Sequence, residues 1–369
     1  MSEANKNTSE PGLGQTIKED IHEDSLFKNF YRDIKELKEF YISTEKKKKL
    51  EKMNPFKRVF FLTLWILKSM ILKLTPTRRL LLLIGVILII ISGSFSVSFA
   101  DADLRISMGR ALLGGAIVVV VLMLELKDKL LARDELEAGR KVQQALMPEQ
   151  NPYLEGWSVW LYSRSANEVC GDLVDYLHIN DERTGILMAD VAGKGLNAAL
   201  LTAKLQATIR ALAPDYDAIS LVTKVNNIFY RENLRNIFAS LIYFEIRKGS
   251  NSIKLVNAGH YPSYHCRGNQ IKESGKGDIA LGLMKDAVYK EVVSEIEPGD
   301  VILAYSDGVT EARNHKGEFY GNARLSNLLC SLAGKSANEI GNEVVKAIDK
   351  FIGDVRLHDD LSIIVLKKQ

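Results

Sequence analysis

Two aspartates bracket a pair of short apolar runs near the middle of this 369-residue chain, and they limit what the chain can fold into. Asp172 opens a run through Leu173, Val174 and Ile179, and Asp190 closes a second that begins at Ile186. Residues 180–185 between them are polar and end in glycine, so the stretch reads as a β-hairpin with a longer loop. In an antiparallel pair the start of one strand lies beside the end of the other, which sets Asp190 opposite Asp172 or Asp175. Turn register chooses between the two. Carboxylates about 4 Å apart at an effective dielectric near 20 repel by about 4 kcal/mol, so one takes a proton or a cation joins them. An ordinary hairpin with solvated aspartates at its ends is the plain alternative.

The pattern recurs twice. Asp307 follows the apolar strand 301–305 with Gly308 at the turn, and Asp359 and Asp360 precede the apolar run 361–366. If these strands are antiparallel neighbours beside the hairpin, the four acidic positions converge on one sheet edge. An all-oxygen set suits Mg²⁺ or Mn²⁺ rather than zinc. Two such ions about 3.5–4 Å apart would activate a water and clamp phosphoryl oxygens. His358 is adjacent and ranks as a neighbour, not a ligand. Cys170, Cys266 and Cys330 have no CxxC or zinc spacing and no phosphate-cradling Arg after them, so reduced thiols are expected and cysteine-phosphatase chemistry is disfavoured.

The N-terminal third has a different character. Residues 1–20 carry little to bury and read as disordered. Within 21–57, Phe27, Phe30, Ile34, Leu37 and Tyr41 mark an amphipathic helix. A basic run follows at Lys46–Lys49, Lys52, Lys57 and Arg58. It adjoins apolar sequence without interleaved aromatics, which points to a membrane surface and not to nucleic acid, although the net charge is only +3. Region 58–124 reads as membrane-embedded: an interfacial helix at 59–72 and two transmembrane helices at about 80–99 and 108–124, with Gly109, Gly114 and Gly115 allowing close approach. Lys and Arg lie on both flanks, so the expected location is the inner (cytoplasmic) membrane, multi-pass, with the catalytic part in the cytoplasm. Residues 125–147 form a linker helix whose weak heptad at Leu124, Leu131, Ala138 and Ala145 leaves a homodimer open.

Residues 148–369 mix strands with helix pairs. Strands are expected at 157–163, on both sides of the hairpin, and at 239–246, 253–257, 289–296, 301–305 and 361–366, with helices at 198–212, 218–232, 325–332 and 337–351. Strand runs broken by helix pairs argue for an antiparallel α+β domain.

With the motifs Gln144-Ala-Leu-Met-Pro148, Glu168-Val-Cys-Gly-Asp172, Asp190-Val-Ala-Gly-Lys-Gly195, Asn257-Ala-Gly-His260, Ser306-Asp307-Gly308 and Asp359-Asp360-Leu-Ser362 in order, residues 140–367 resemble the SpoIIE-type branch of the PPM, protein phosphatase 2C-like, metal-dependent Ser/Thr phosphatases. The resemblance implies an αββα sandwich with two Mn²⁺ or Mg²⁺ ions between its sheets. It matches Asp172, Asp190, Asp307 and Asp359 to the metal-binding carboxylates and the Val191 carbonyl to a backbone ligand, with Asp175 and Asp360 as further candidates. It implies as substrate a phosphoserine or phosphothreonine protein, typically an anti-sigma-factor antagonist. The chain departs from the pattern at Cys170, Leu173, Val174 and Lys194, the last standing where His is common. Asn257 and His260 read as structural turn residues.

Two rivals remain. The 190–195 loop is similar to the Gly-rich box of histidine-kinase-like ATPases but has Ala192 where those place glycine, and Gly334-Lys335-Ser336 lacks the first glycine of a P-loop. The second rival is a catalytically weak membrane regulator that keeps the phosphatase fold.

Overall fold

The computed structural model describes residues 42, 44–51, 53–91, 94–98, 105–231 and 238–369. The expected disordered segment 1–20 and the amphipathic helix from Phe27 to Tyr41 lie outside them. The chain divides into two units, 1–128 and 129–369.

In the first unit, α1 spans Thr44–Glu51, α2 Pro55–Lys73 and α3 Pro76–Ile90. Pro55 and Pro76 start their helices, where a missing N–H costs nothing. The single helix expected at 80–99 does not form. Instead α3 ends at Ile90, and β1, Ser94–Ser98, pairs antiparallel with β2, Arg105–Gly109. The reason is legible in Ser94-Phe-Ser-Val-Ser98, an alternation of period 2 that follows Gly93, a poor helix former. The 15 residues of α3 rise about 22 Å, short of the roughly 30 Å of a bilayer core. The second apolar run begins as β2 through Gly109 and becomes α4, Arg110–Leu146, so the linker is the continuation of one helix and not a separate element. No helix among the described residues is long and apolar enough to cross a membrane. Of the three glycines expected to permit close approach, Gly114 does so: a Cβ there would meet the Gly85 carbonyl and Ile89, whereas Gly109 and Gly115 face open space.

In the second unit, β3 (Trp157–Arg164) is followed by the hairpin of β4 (Asp172–His178) and β5 (Arg183–Val191). Helices α5 (Leu196–Leu212) and α6 (Ala218–Arg231) follow, then β6 (Ala239–Arg247), β7 (Ser252–Ala258), β8 (Tyr264–Arg267), β9 (Gln270–Glu273), β10 (Glu291–Glu295) and β11 (Val301–Tyr305). The chain closes with the short α7 (Asp307–Thr310), α8 (Asn322–Leu332), α9 (Ala337–Ile352) and β12 (Leu361–Lys368). Two antiparallel five-stranded sheets result, ordered β10-β7-β6-β5-β4 and β3-β12-β11-β8-β9.

Strand alternation sorts the side chains into layers. In β5, Leu187, Ala189 and Val191 pack outward with Leu205, Ile209, Leu221 and Val225 of α5 and α6. Ile186 and Met188 turn inward and meet Ile302, Ile364 and Leu366 of the other sheet. That second sheet in turn sends Trp160, Leu303, Ile363 and Val365 outward to Leu325, Ile340 and Val344 of α8 and α9. The α+β architecture is therefore helices, sheet, sheet, helices. The β8–β9 hairpin lies outside the expected strands, although Gly268-Asn269 between its strands is a two-residue turn signal.

Gly341 of α9 sits against the Trp160 indole so closely that a Cβ would overlap the ring. Gly341→Ala should destabilise residues 129–369 by about 1–3 kcal/mol through overpacking, read as a lower urea midpoint. Gly334→Ala, at a position with nothing within 4 Å, is the control and should leave the midpoint nearly unchanged. Equal losses at both positions would refute the packing account.

Candidate active site

Asp172 lies directly opposite Asp190 in the hairpin, and Asp175 pairs with Leu187. Asp172 shares its face of β4 with Val174 and so points between the sheets, whereas Asp175, three residues on, points to the helices. There the buried Asp175 carboxylate accepts from Arg210 Nε at 2.8 Å and Nη2 at 2.7 Å. It serves as a bidentate tie between β4 and α5.

The other acidic residues come from the second sheet. Asp307 opens α7 directly after β11, and Asp359 and Asp360 stand just before β12. The four acidic positions thus meet at one end of the sandwich, supplied by two sheets and not by the single sheet edge expected. Antiparallel pairing of β11 with β12 holds as expected, but neither strand neighbours the hairpin.

Between the sheets at this end the apolar layer gives way to polar groups. Ser306 Oγ donates to the Asp360 carbonyl at 3.0 Å and accepts the Ser362 N–H at 2.9 Å, while Ser362 Oγ donates to Ser163 Oγ at 3.0 Å. The Asp360 carboxylate is engaged on both oxygens: Oδ1 accepts from the Ala166 N–H at 2.7 Å and Oδ2 from the Gly171 N–H at 2.6 Å. These are backbone clamps that sequence motifs alone do not disclose. Buried Cys170 has Sγ 3.5 Å from Ser163 Oγ, and burial pushes its thiol pKa up.

Asp172 has a different status. It is buried, and its Oδ2 has no hydrogen-bond partner among the described residues. Burial pushes its pKa well above the ordinary carboxylate value, the neighbouring Asp190 adds to this, and Ser362 and Ser306 oppose it. Asp190 is raised to about 6, by burial first and then by Asp307, Asp359 and Asp360, with Lys194 opposing. Asp307 is raised by burial, Asp359 and Glu311. Lys194, on the loop after β5, places Nζ 3.1 Å from Asp359 Oδ2 and donates to the His358 carbonyl at 3.3 Å. A cavity of about 280 Å³ opens here, lined by Lys194, Glu311, Arg313, His358 and Asp359.

No three His, Cys, Asp or Glu side chains among the described residues are gathered tightly enough to hold a metal ion between them as they stand. The donor chemistry nonetheless fits a hard divalent cation. A buried carboxylate oxygen without a partner, and carboxylates raised by one another's charge, are both relieved by positive charge at that point. The Val191 carbonyl lies close to Gly171, the residue before Asp172.

Residues 180–369 match the family model described as Stage II sporulation protein E (SpoIIE). The chain belongs to the SpoIIE family. It is a PP2C-like protein serine/threonine phosphatase. It is 28% identical over 240 residues to phosphoserine phosphatase RsbU of Bacillus subtilis, covering 64% of this chain and 71% of RsbU. It is also 28% identical over 197 residues to phosphoserine phosphatase RsbP of the same organism, covering 50% of this chain and 47% of RsbP. Among solved structures it resembles the SiaA-PP2C domain of Pseudomonas aeruginosa, with a TM-score of 0.57 at 19% identity, covering 66% of this chain and 99% of that domain. The last likeness is one of fold.

In this SpoIIE-family domain the 257–260 motif forms a closed turn. Asn257 Oδ1 accepts the His260 N–H at 2.8 Å and Asn257 Nδ2 donates to the His260 carbonyl at 3.1 Å. The imidazole is buried, with Nδ1 3.2 Å from the Tyr261 carbonyl, and burial lowers its pKa from 6.5 to about 4. The unfolded chain therefore takes up this proton first as pH falls. Stability from neutral His260 is complete above pH 6.5 and is lost towards pH 4, a difference of about 3 kcal/mol at 1.36 kcal/mol per unit. Urea titrations between these values should show a shallower pH slope in His260→Gln than in the parent; identical slopes would refute this assignment.

Proposed function

We propose that the acidic end of the sandwich hydrolyses phosphoserine or phosphothreonine on a regulatory protein of the anti-sigma-factor-antagonist type. Asp172, Asp190, Asp307, Asp359 and the Val191 carbonyl would hold two Mn²⁺ or Mg²⁺ ions there. The observation behind this reading is the convergence of mutually repelling aspartates from two sheets around the unpartnered Asp172 oxygen. RsbU and RsbP, named as phosphoserine phosphatases, support the substrate class.

When bound, such ions would supply Lewis acidity for activating a water and for drawing charge from the phosphoryl oxygens. The residues of the chain do the rest. Asp172 and Asp190, held face to face by the hairpin register, present oxygens from one sheet, and Asp307 and Asp359 present theirs from the other. Lys194 offsets the charge of Asp359 and borders the 280 Å³ cavity together with Arg313, so that cavity offers cationic groups to an entering phosphate. Glu311, across the same cavity and 3.4 Å from the Tyr261 hydroxyl that donates to it, keeps the entrance from being uniformly basic.

Asp190→Asn and Asp307→Asn each remove a charge and keep the shape. Phosphate release from a phosphoserine protein in Mn²⁺ should fall by about a hundredfold or more. Metal-free melting temperature should hold or rise, since a like-charge contact is gone, and the increase on adding Mn²⁺ should be smaller than in the parent. Parental rates in both variants would overturn the two-metal reading.

We further propose that the first unit associates with the inner membrane and leaves the catalytic unit in the cytoplasm. Phe56, Phe60 and Leu72 of α2, Leu80 and Ile90 of α3, and Leu112 and Met123 of α4 are all exposed, far more apolar surface than isolated side chains account for. The exposed Lys57 and Arg58 flank it with charge suited to anionic headgroups. The full chain should pellet with anionic vesicles and be released by detergent but not by 1 M salt, about 3 Å in screening length, whereas residues 129–369 should stay in the supernatant. A full chain that stayed in the supernatant would refute this.

A further inference from the structure

We propose that Gln143, near the end of α4, is a positioning residue that sets the backbone leading into Asp172 and so tunes metal binding at the site. The side-chain amide grips Cys170 at both of its backbone groups: Nε2 donates to the Cys170 carbonyl at 2.9 Å, and Oε1 accepts the Cys170 N–H at 3.0 Å. The next residue, Gly171, is held from two other directions. Its N–H donates to Asp360 Oδ2 at 2.6 Å and its carbonyl accepts from Thr202 Oγ1 of α5 at 2.7 Å and from the Val191 N–H at 3.4 Å. Cys170–Gly171 is thus a short strip on which α4, α5, the last residue of β5 and the approach to β12 all meet. Asp172 follows at once, with its orphaned oxygen.

The end of α4 is itself fastened by few bonds. Gln206 Nε2 of α5 donates to the Leu146 carbonyl at 2.9 Å, and Arg210 Nη2, whose guanidinium also binds Asp175, donates to it at 3.4 Å. Elsewhere this turn is open: Val142, Gln144 and Ala145 are exposed. Displacement or rotation of α4 must therefore release Gln143 from Cys170 or drag the strip with it. A small cavity of about 20 Å³ borders these same groups, lined by Gln143, Cys170, Asp172, Thr202 and Gln206.

The inference rests on the metal reading above for one of its two measurements. The full chain is compared with Gln143→Met, which keeps length and helix propensity but loses both hydrogen bonds, and with Gln144→Met, the same change on the exposed side. Hydrogen exchange is followed in a peptide covering 189–192, whose Val191 amide Gln143 does not touch, and in one covering β6. Exchange at 189–192 should rise about tenfold in Gln143→Met with β6 unchanged, a size within what the two lost hydrogen bonds supply. Mn²⁺ affinity by titration calorimetry should weaken by a similar factor, and activity lost at limiting Mn²⁺ should return when Mn²⁺ is raised. Gln144→Met should match the parent. Gln206→Met, which frees the end of α4 without touching Cys170, should reproduce the faster exchange at 189–192 and keeps the test decisive if Gln143→Met does not fold. Unchanged exchange at 189–192, or faster exchange in β6 as well, would overturn the proposal. A parent that bound no Mn²⁺ would refute the metal reading while the exchange comparison still decided the role of Gln143.

Discussion

The Asp360 carboxylate is the interaction on which the candidate site depends. The site takes aspartates from two sheets, so their relative placement is only as good as the link between those sheets at this end. The connection from β3 to β4 crosses from one sheet to the other, and Asp360 takes the N–H of Ala166 near its start and of Gly171 near its finish. A buried carboxylate gains from backbone donors more than a neutral acceptor would, and here both bonds are short. Loss of Asp360 would free the loop that delivers Asp172. For this reason its role as a clamp explains its position beside Asp359 better than a place among the ligands.

Holding the site together also costs stability. Burial and like charge both raise Asp172 and Asp190, and Asp172 has an oxygen with no donor among the described residues. Each of those effects opposes the folded state without a cation. The apolar layer immediately beyond, from Val174, Ile186 and Met188 to Ile302, Ala304 and Ile364, offsets the cost and keeps both sheets in place. Lys194 supplies a partial counter-charge from an exposed loop, and the water around it screens its effect.

Much of the second unit was legible in the sequence because its strands are strongly apolar and end at charged or glycine residues. Val301–Tyr305 matches the expected strand, and the helices after the hairpin begin within a few residues of expectation. Two things were not legible. Sheet membership was one: β11 and β12 read as neighbours of the hairpin, but partners across a sandwich are chosen by packing of whole faces, which no single strand encodes. The first unit was the other. A long apolar run and an alternating one share the same mean hydropathy, so the period-2 pattern of Ser94-Phe-Ser-Val-Ser98 was hidden in the stretch from Leu80 to Phe99.

Side-chain parity, by contrast, was available and separates Asp172 and Asp190 from Asp175. Along β4 the inward positions are 172 and 174, along β5 they are 186, 188 and 190, along β11 they are 302 and 304, and along β12 they are 362, 364 and 366. Continuing each register to the end of its strand gives Asp172, Asp190, Ser306 and Asp360, whereas Asp307 and Asp359 fall outside β11 and β12, where strand alternation no longer fixes direction. Asp175 fails the same test by one step and is taken by Arg210. Asp172, Asp190, Ser306 and Asp360 are thus the polar terminations of the same rows that build the inter-sheet core. A substitution deep in that core that shifts one sheet along the other would move the aspartates by the same amount, so the precision of the chemistry is set by how well Ile186, Ile302 and Ile364 pack.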